Sequence, residues 1–411
     1  MPRRSCRRRS RPASEPPALE APPAGAGSER TSMSALRPPA RGGLGLSRLG
    51  VRLAGSRRFQ LIAERVPFLR RIGRREGEEL FDIVAGFVHS QVLYALVELR
   101  VLHLVAEGPQ TVQALAAATG LAPERMQLLL QGGAALKLLT RRRDGQFDLA
   151  VRGAAFLAVP GLEAMVGHHH VLYRDLADPV AFLKGETEPE LARFWPYVFG
   201  AAGATDPEVT AKYSRLMTES QGLVAEDALR LVDLMGVRRL MDVGGGTGAF
   251  LAAVGRAYPL MELMLFDLPV VAEAAPQRLT EAGLAGRFTV HGGSFRDDPL
   301  PLGADAISLV RVLFDHSDET VKLLLRRVRE ALPVGGRVIV AEAMSGGARP
   351  HRETDTYMAF YTAAMRTGRV RSAAEIAELL TGQGFSEIKI FPGLRPYVAS
   401  AVTAVRPSDA P

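Results

Sequence analysis

The 411-residue chain has a single cysteine, Cys6, and a single tryptophan. One thiol excludes an intrachain disulfide and any cysteine-based metal site, so cytosolic chemistry is expected. Long hydrophobic runs are missing as well. The most apolar stretch, Phe81 to Val105, is interrupted by Asp82, His89, Glu98, Arg100 and His103. That falls short of the ~20 apolar residues of a membrane span, and a core or dimer helix is expected instead. No apolar run follows the N-terminal segment, which argues against a secretory signal. His168, His169 and His170 are consecutive. A helix spreads three such rings around its axis, so they cannot all chelate one metal, and no metal site is expected.

Positive charge is present but unevenly placed. The formal charge is +7, yet residues 1–60 hold 13 arginines, no lysine and only three acids, Glu15, Glu20 and Glu29, which leaves the remainder mildly acidic. Residues 1–56 also carry eight prolines and no apolar periodicity, so they are expected to form a disordered basic tail. Three readings of it compete: a polybasic anchor, a targeting peptide, or a start site at Met33. Residues 57–77 place Phe59, Ile62, Val66, Leu69 and Ile72 at helical spacing with Arg65, Arg70, Arg71, Arg74 and Arg75 among them. Such a segment suits a membrane interface or packs on the domain behind it, with a kink at Pro67.

Residues 78–158 follow a helix, turn, helix, hairpin order. Thr111 opens a short helix that Gly120 ends, Pro123 starts the next with Met126, Leu129 and Leu130 facing inward, and Asp144-Gly145 is a hairpin turn. This winged helix raises a nucleic-acid hypothesis. The candidate recognition helix, 123–137, offers only Arg125 and Lys137 against Glu124, a poor footprint for phosphate, although Arg141, Arg142 and Arg143 lie on the wing. No nucleic-acid partner is expected, and a dimerisation role is preferred. Residues 159–225 read as linker helices lining a substrate pocket.

From 226 to 406 strands alternate with helices, the mark of an α/β domain with a parallel sheet. The strand RRLMDV runs into Gly244-Gly245-Gly246-Thr247-Gly248 and a helix, and nineteen residues after Gly248 the next strand ends at Asp267. Glycines let backbone amides approach a ligand, and the acid suits ribose hydroxyls. With Ala249 the loop also meets the relaxed dinucleotide fingerprint. Asp242 argues against a nicotinamide enzyme: it would repel a pyrophosphate and attract an ammonium. S-adenosylmethionine has an ammonium and no phosphate.

MDVGGGTGAF, LFDLP, HGGSF, ADAISLVRVL and LPVGGRVIVAE stand in the order and spacing of the S-adenosylmethionine-dependent O-methyltransferases of the plant-phenol and acetylserotonin type, and the resemblance covers about residues 78–406. More narrowly, RVLFDHSDETV, HHHVLYRDLADPVAFLKGE and LFDIVAGFVHSQVLYALVEL resemble the hydroxyneurosporene and demethylspheroidene O-methyltransferases of purple bacteria. The resemblance implies a Rossmann-like class I methyltransferase sheet preceded by a helical winged-helix dimerisation domain. It also implies a homodimer, S-adenosylmethionine as cofactor, and methylation of the tertiary 1-hydroxyl of an acyclic carotenoid. The expected location is cytoplasmic, with peripheral contact to the inner or photosynthetic membrane through residues 57–77.

Carried over by position, the resemblance places the cofactor against Gly244, Gly246 and Gly248, its ribose on Asp267 and its flank on Leu268, with Asp242 beside the loop. Gly293-Ser294-Phe295 takes the place of the family's Gly-Asp-Phe step near the adenine, and Arg311 the basic position that opens its R-V-L-H-D-W segment. The family's catalytic histidine is replaced by Phe314, followed by Asp315 and His316. Glu342 matches the acid that orients that histidine, and Val370 stands where a second acid belongs. General-base catalysis typically contributes 10²–10⁴-fold, whereas positioning an already activated donor supplies about 7–11 kcal/mol, so transfer survives the replacement. His316 is the first candidate for proton acceptor and Asp315 the second, with Glu342 as orienter or direct acceptor; the bland alternative is a His316 that caps the next helix.

Tyr357, Met358, Tyr361 and Met365 are the candidate lining of a polyene pocket. Ser372 and Glu375 form a capping box, and EIKIFP with YVASAVTAV closes the sheet as a hairpin. Two other functions compete with this one: methylation of a phenol or other small hydroxylated metabolite, and a non-catalytic winged-helix regulator that senses the cofactor.

Overall fold

The computed structural model describes residues 45–194, 221–345, 347–348, 350–366 and 368–408. Cys6, Met33, Trp195 and the central part of the 159–225 linker lie outside them. The chain divides into two compact units, one ending at Phe81 and the other beginning at Asp82.

In the first unit, Gly45–Ala54 and Arg57–Ala63 are helical and a third helix starts at Pro67. Disorder through residue 56 is therefore corrected: GLSRLGVRLA has no proline and repeats leucine every three or four residues, which is helical spacing. Residues 57–77 are not one kinked helix either. Pro67 occupies the first helical position, where its missing N–H is no loss, and the helix it starts runs on for 32 residues to Glu98, through the expected boundary at 77/78.

That helix contains the start of the apolar stretch. Among the described residues it is the one helix long and apolar enough, by length and composition alone, to cross a membrane. Between Asp82 and Glu98 it carries no Asp, Glu, Lys or Arg. Only its C-terminal end is core: Leu96 and Val97 are buried, whereas Ile83, Val84 and Phe87 are about 70% exposed.

The second unit begins with the winged helix. Thr111 caps Val112–Thr119 by accepting from the Ala114 amide, and Gly120, at φ +74°, ends it. Pro123–Ala135 follows, with Met126 and Leu130 fully buried and Leu129 partly so. Strands β1 (Leu139–Arg141) and β2 (Phe147–Leu149) pair antiparallel across the Asp144-Gly145 turn. Helix Leu162–Asp175 then carries the three histidines.

The remaining strands are β3 (Arg239–Val243), β4 (Glu262–Asp267), β5 (Phe288–Gly292), β6 (Ala306–Val310), β7 (Arg337–Glu342), β8 (Ser386–Phe391) and β9 (Ser400–Val405). They form one sheet in the order β5-β4-β3-β6-β7-β9-β8, parallel except for the antiparallel β9, which pairs with both β7 and β8. The strands of this sheet's centre are buried on both faces, as Leu240, Met241, Val243, Ile307, Leu309, Val338 and Val340 show. The chain order reverses at β3 and β6, so the crevice beyond their carboxyl ends is the expected ligand position. The expected capping box at Ser372 and the closing hairpin are both present.

Candidate active site

The glycine loop leaves β3 and enters helix Ala249–Ala257. Gly244 has φ +71°, and a Cβ there would stand 2.8 Å from Val312 Cγ2, so only glycine fits. Gly246, at φ +59°, would meet nothing within 4 Å with a Cβ added, so the loop presents an open face. Asp267 ties loop to strand: Oδ2 accepts from the Gly246 amide at 2.7 Å and Oδ1 from the Leu268 amide at 2.7 Å. Withdrawal from solvent raises its carboxyl to about 6, against those two amide bonds.

The cleft beside this loop is lined by Gly244, Asp267, Leu268, Gly293, Ser294, Phe295, Arg311, Asp315 and His316. These are most of the residues expected to hold S-adenosylmethionine, and an open glycine turn with a carboxylate at its rim fits the ammonium and ribose of that molecule. Asp242 does not line the cleft. It is buried beneath the loop, where its Oδ1 accepts from Ser308 Oγ at 2.6 Å and its Oδ2 faces Gly245, and burial raises it to about 7 against the Ser308 bond. Its role is to support the turn. Ser294 Oγ accepts from the Arg296 amide, and the Asp298 carboxylate, not singled out in the sequence, accepts from the Ser294 amide at 2.8 Å.

The second cavity, about 580 Å³, is lined mainly by apolar side chains, among them Leu162, Met165, Val224, Phe314, Tyr357, Met358 and Val398. Arg311 borders both spaces, held at φ +59° with its amide donating to the Ala341 oxygen. Of the four expected lining residues, Tyr357 and Met358 are there. Tyr361 and Met365 are not; they pack with Val171, Leu172, Phe182 and Leu191 instead, because their stretch of helix faces Leu162–Asp175.

The expected proton-transfer residues do not gather around this cavity. His316 is 8% exposed and lines the cofactor-side cleft, its ring edge-on to Phe295 at 5.3 Å. Its Nδ1 lies 3.3 Å from Arg296 Nη2, and burial, with Arg296 and then Arg371, lowers it to about 3. It does not cap the following helix; Ser317 does. Asp315 borders the same cleft and is raised to about 8 by burial, against the nearby Arg311. Glu342 is fully buried, and its Oε2 accepts from the amides of Leu313 at 2.9 Å and Phe314 at 3.3 Å. It organises the backbone turn rather than a histidine, and burial raises it to about 7.

One residue that organises the site, Arg371, was not singled out in the sequence, whereas the histidine run that holds His169 was. Arg371 is fully buried and donates to the backbone oxygens of Leu313 at 2.7 Å and His316 at 2.8 Å, and to Asp318 Oδ1 at 2.7 Å. Its place next to Val370, where the family carries its second acid, was the available signal. His169 of the histidine run bonds Tyr357 in the apolar cavity, while His168 is buried and His170 Nδ1 lies 2.8 Å from the Gly167 oxygen. Among the described residues no group of three or more acids, histidines or cysteines is arranged for a metal.

Comparison with known proteins agrees with this geometry. Residues 81–158 match the O-methyltransferase dimerisation domain and residues 173–386 the O-methyltransferase domain. The chain is 99% identical over 379 residues to demethylspheroidene O-methyltransferase of Cereibacter sphaeroides, covering 92% of this chain and 100% of that one. It is 56% identical over 355 residues to the enzyme of the same name from Rhodobacter capsulatus, covering 86% and 88%. Human N-acetylserotonin methyltransferase in complex with SAM superposes with a TM-score of 0.67 at 25% identity, covering 81% of this chain and 98% of that one. A methyltransferase of calicheamicin biosynthesis in its SAH-bound form gives 0.68 at 28%, with the same coverage.

Proposed function

The chain belongs to the S-adenosylmethionine-dependent O-methyltransferases with an N-terminal dimerisation domain, and from that premise we propose that it methylates the tertiary 1-hydroxyl of an acyclic carotenoid of the hydroxyneurosporene or demethylspheroidene type. The observation that carries this is the 99% identity across the whole length of a demethylspheroidene O-methyltransferase. The apolar cavity with Phe314 in place of the family's polar base supports it, since a polyene has little to offer a polar lining.

S-adenosylmethionine supplies a methyl group already activated on a sulfonium. The residues of this chain hold and orient: Gly244, Gly246 and Gly248 form the loop, Asp267 takes the ribose hydroxyls, and Leu268, Gly293, Ser294, Phe295 and His316 flank the cleft. Arg311 stands where cleft and cavity meet. Within this reading residues 226–406 are the cofactor-binding domain and the described parts of 159–225 wall the cavity. His316 then serves the cofactor side rather than the acceptor.

The reading includes a homodimer formed through residues 78–158, in which a second copy covers the exposed Ile83, Val84 and Phe87. It also includes contact with anionic lipid through residues 57–77, where Leu61, Ile62 and Phe68 are exposed beside Arg65, Arg70 and Arg71. Co-sedimentation with anionic but not neutral vesicles checks the lipid contact. For the reaction, the enzyme is incubated with methyl-labelled cofactor and extracted hydroxylated carotenoids, then chromatographed. Label in the carotenoid fraction is expected; label only in phenols, or nowhere, would sink the proposal.

A further inference from the structure

Tyr357 sits in a single π-helical turn, Glu353–Met358, a form that concentrates at functional sites. Its side chain lines the apolar cavity together with Phe314 and Arg311. The phenol oxygen is 2.8 Å from His169 Nε2, across 188 residues of sequence, with ring centroids 5.4 Å apart. His169 belongs to helix Leu162–Asp175, whose Leu162 and Met165 line the same cavity. Burial lowers the imidazole to about 4, so it is neutral at physiological pH. Burial also raises the phenol, with Tyr173 adding to the effect and Arg311 opposing it. The phenol therefore keeps its proton beside a neutral ring able to accept it.

We propose that Tyr357, backed by His169, receives the proton released by the acceptor alcohol, in the site where Phe314 stands in place of the family's base. The proposal rests on the methyl-transfer reading above. The alcohol oxygen forms its bond to the methyl carbon as the methyl–sulfur bond breaks, and the sulfur keeps that electron pair. The oxygen, now bearing three bonds and a positive charge, gives its proton to the Tyr357 oxygen while the Tyr357 proton passes to His169 Nε2. The products are a neutral ether, a neutral phenol and an imidazolium, and the imidazolium then releases its proton to water.

A weak base suffices because the donor is a protonated ether, a far stronger acid than the free tertiary alcohol. The lowered affinity of His169 for protons also resets the pair after each turnover. Tyr357 is the catalytic residue in this scheme, and His169 is the positioning residue behind it. Tyr173 and Tyr361 pack around the two rings, and Arg311 is a charged group whose field reaches the phenol.

Nitrogen-15 NMR of histidine-labelled wild-type protein without added cofactor reads the hydrogen bond directly. His169 is expected as the neutral tautomer with Nε2 unprotonated, and its Nε2 shift moves in Tyr357→Phe. A proton on Nε2 at neutral pH overturns the proposal whether or not any variant folds. In turnover on hydroxylated carotenoid in detergent micelles, Tyr357→Phe and His169→Leu are expected to lower kcat about 10- to 100-fold, with KM for the cofactor unchanged. His169→Gln, which keeps an acceptor for the phenol, recovers most of the loss. Undiminished kcat in Tyr357→Phe overturns the proposal. Wild-type protein inactive on carotenoid would defeat the functional reading itself, a result distinct from both.

Discussion

Arg371 Nη2 donates to the main-chain oxygen of His316 at 2.8 Å, and the guanidinium doing so is fully buried. The same side chain holds Leu313 O and Asp318, so one arginine fixes both ends of the turn that carries Phe314, Asp315 and His316. Glu342 grips the turn from the other side through the Leu313 and Phe314 amides. The turn between cleft and cavity is thus clamped by a guanidinium on one side and a carboxyl group on the other.

Removing the clamp takes the buried guanidinium from the Leu313 and His316 carbonyls and leaves Asp318 with Arg369 alone. Arg371→Met is expected to cost about 3 kcal/mol of stability, read as a lower urea midpoint. It also weakens binding of the demethylated cofactor product, measured by calorimetry.

Gly244→Ala meets two obstacles, a positive φ and a contact with Val312. The loop must shift, and cofactor affinity is expected to fall at least about tenfold, the equivalent of ~1.4 kcal/mol, while the oligomeric state by light scattering stays unchanged.

His316→Ala separates the two sides of the site. Because His316 lines the cofactor cleft against Phe295, the variant is expected to raise KM for the cofactor several-fold and leave kcat within about threefold. Loss of kcat at unchanged cofactor KM would return the proton-acceptor role to it.

The buried acids set a pH dependence of stability. Asp242 and Glu342, raised to about 7, and Asp315, raised to about 8, bind protons in the folded state that they release when unfolded. Their contribution is present at low pH and is lost as pH rises through those values. His169 and His316, lowered to about 4 and 3, act oppositely, but only up to the ordinary histidine value near 6.5. Without added cofactor, the melting temperature is therefore expected to fall between about pH 6.5 and 8, and Asp315→Asn flattens that slope. A melting temperature that rises across this interval would contradict the assignment.

The sequence by itself determined the α/β class, the winged helix, the glycine loop with Asp267 and the caps at Thr111 and Ser372. All of these are written in neighbours a few residues apart: an alternating strand, a glycine after it, a hydroxyl before a helix. Where a regional reading failed, at residues 45–56 and at Pro67, it misjudged a helix start, and such starts are marked by single residues. The tertiary structure alone decided which side of the 311–318 turn faces the cofactor and that Tyr361 and Met365 are core. It also decided that Arg371 clamps the turn and that His169 meets Tyr357. Those facts depend on how helices from distant parts of the chain pack. A side chain's type and spacing give its face on its own element but not the element that covers that face.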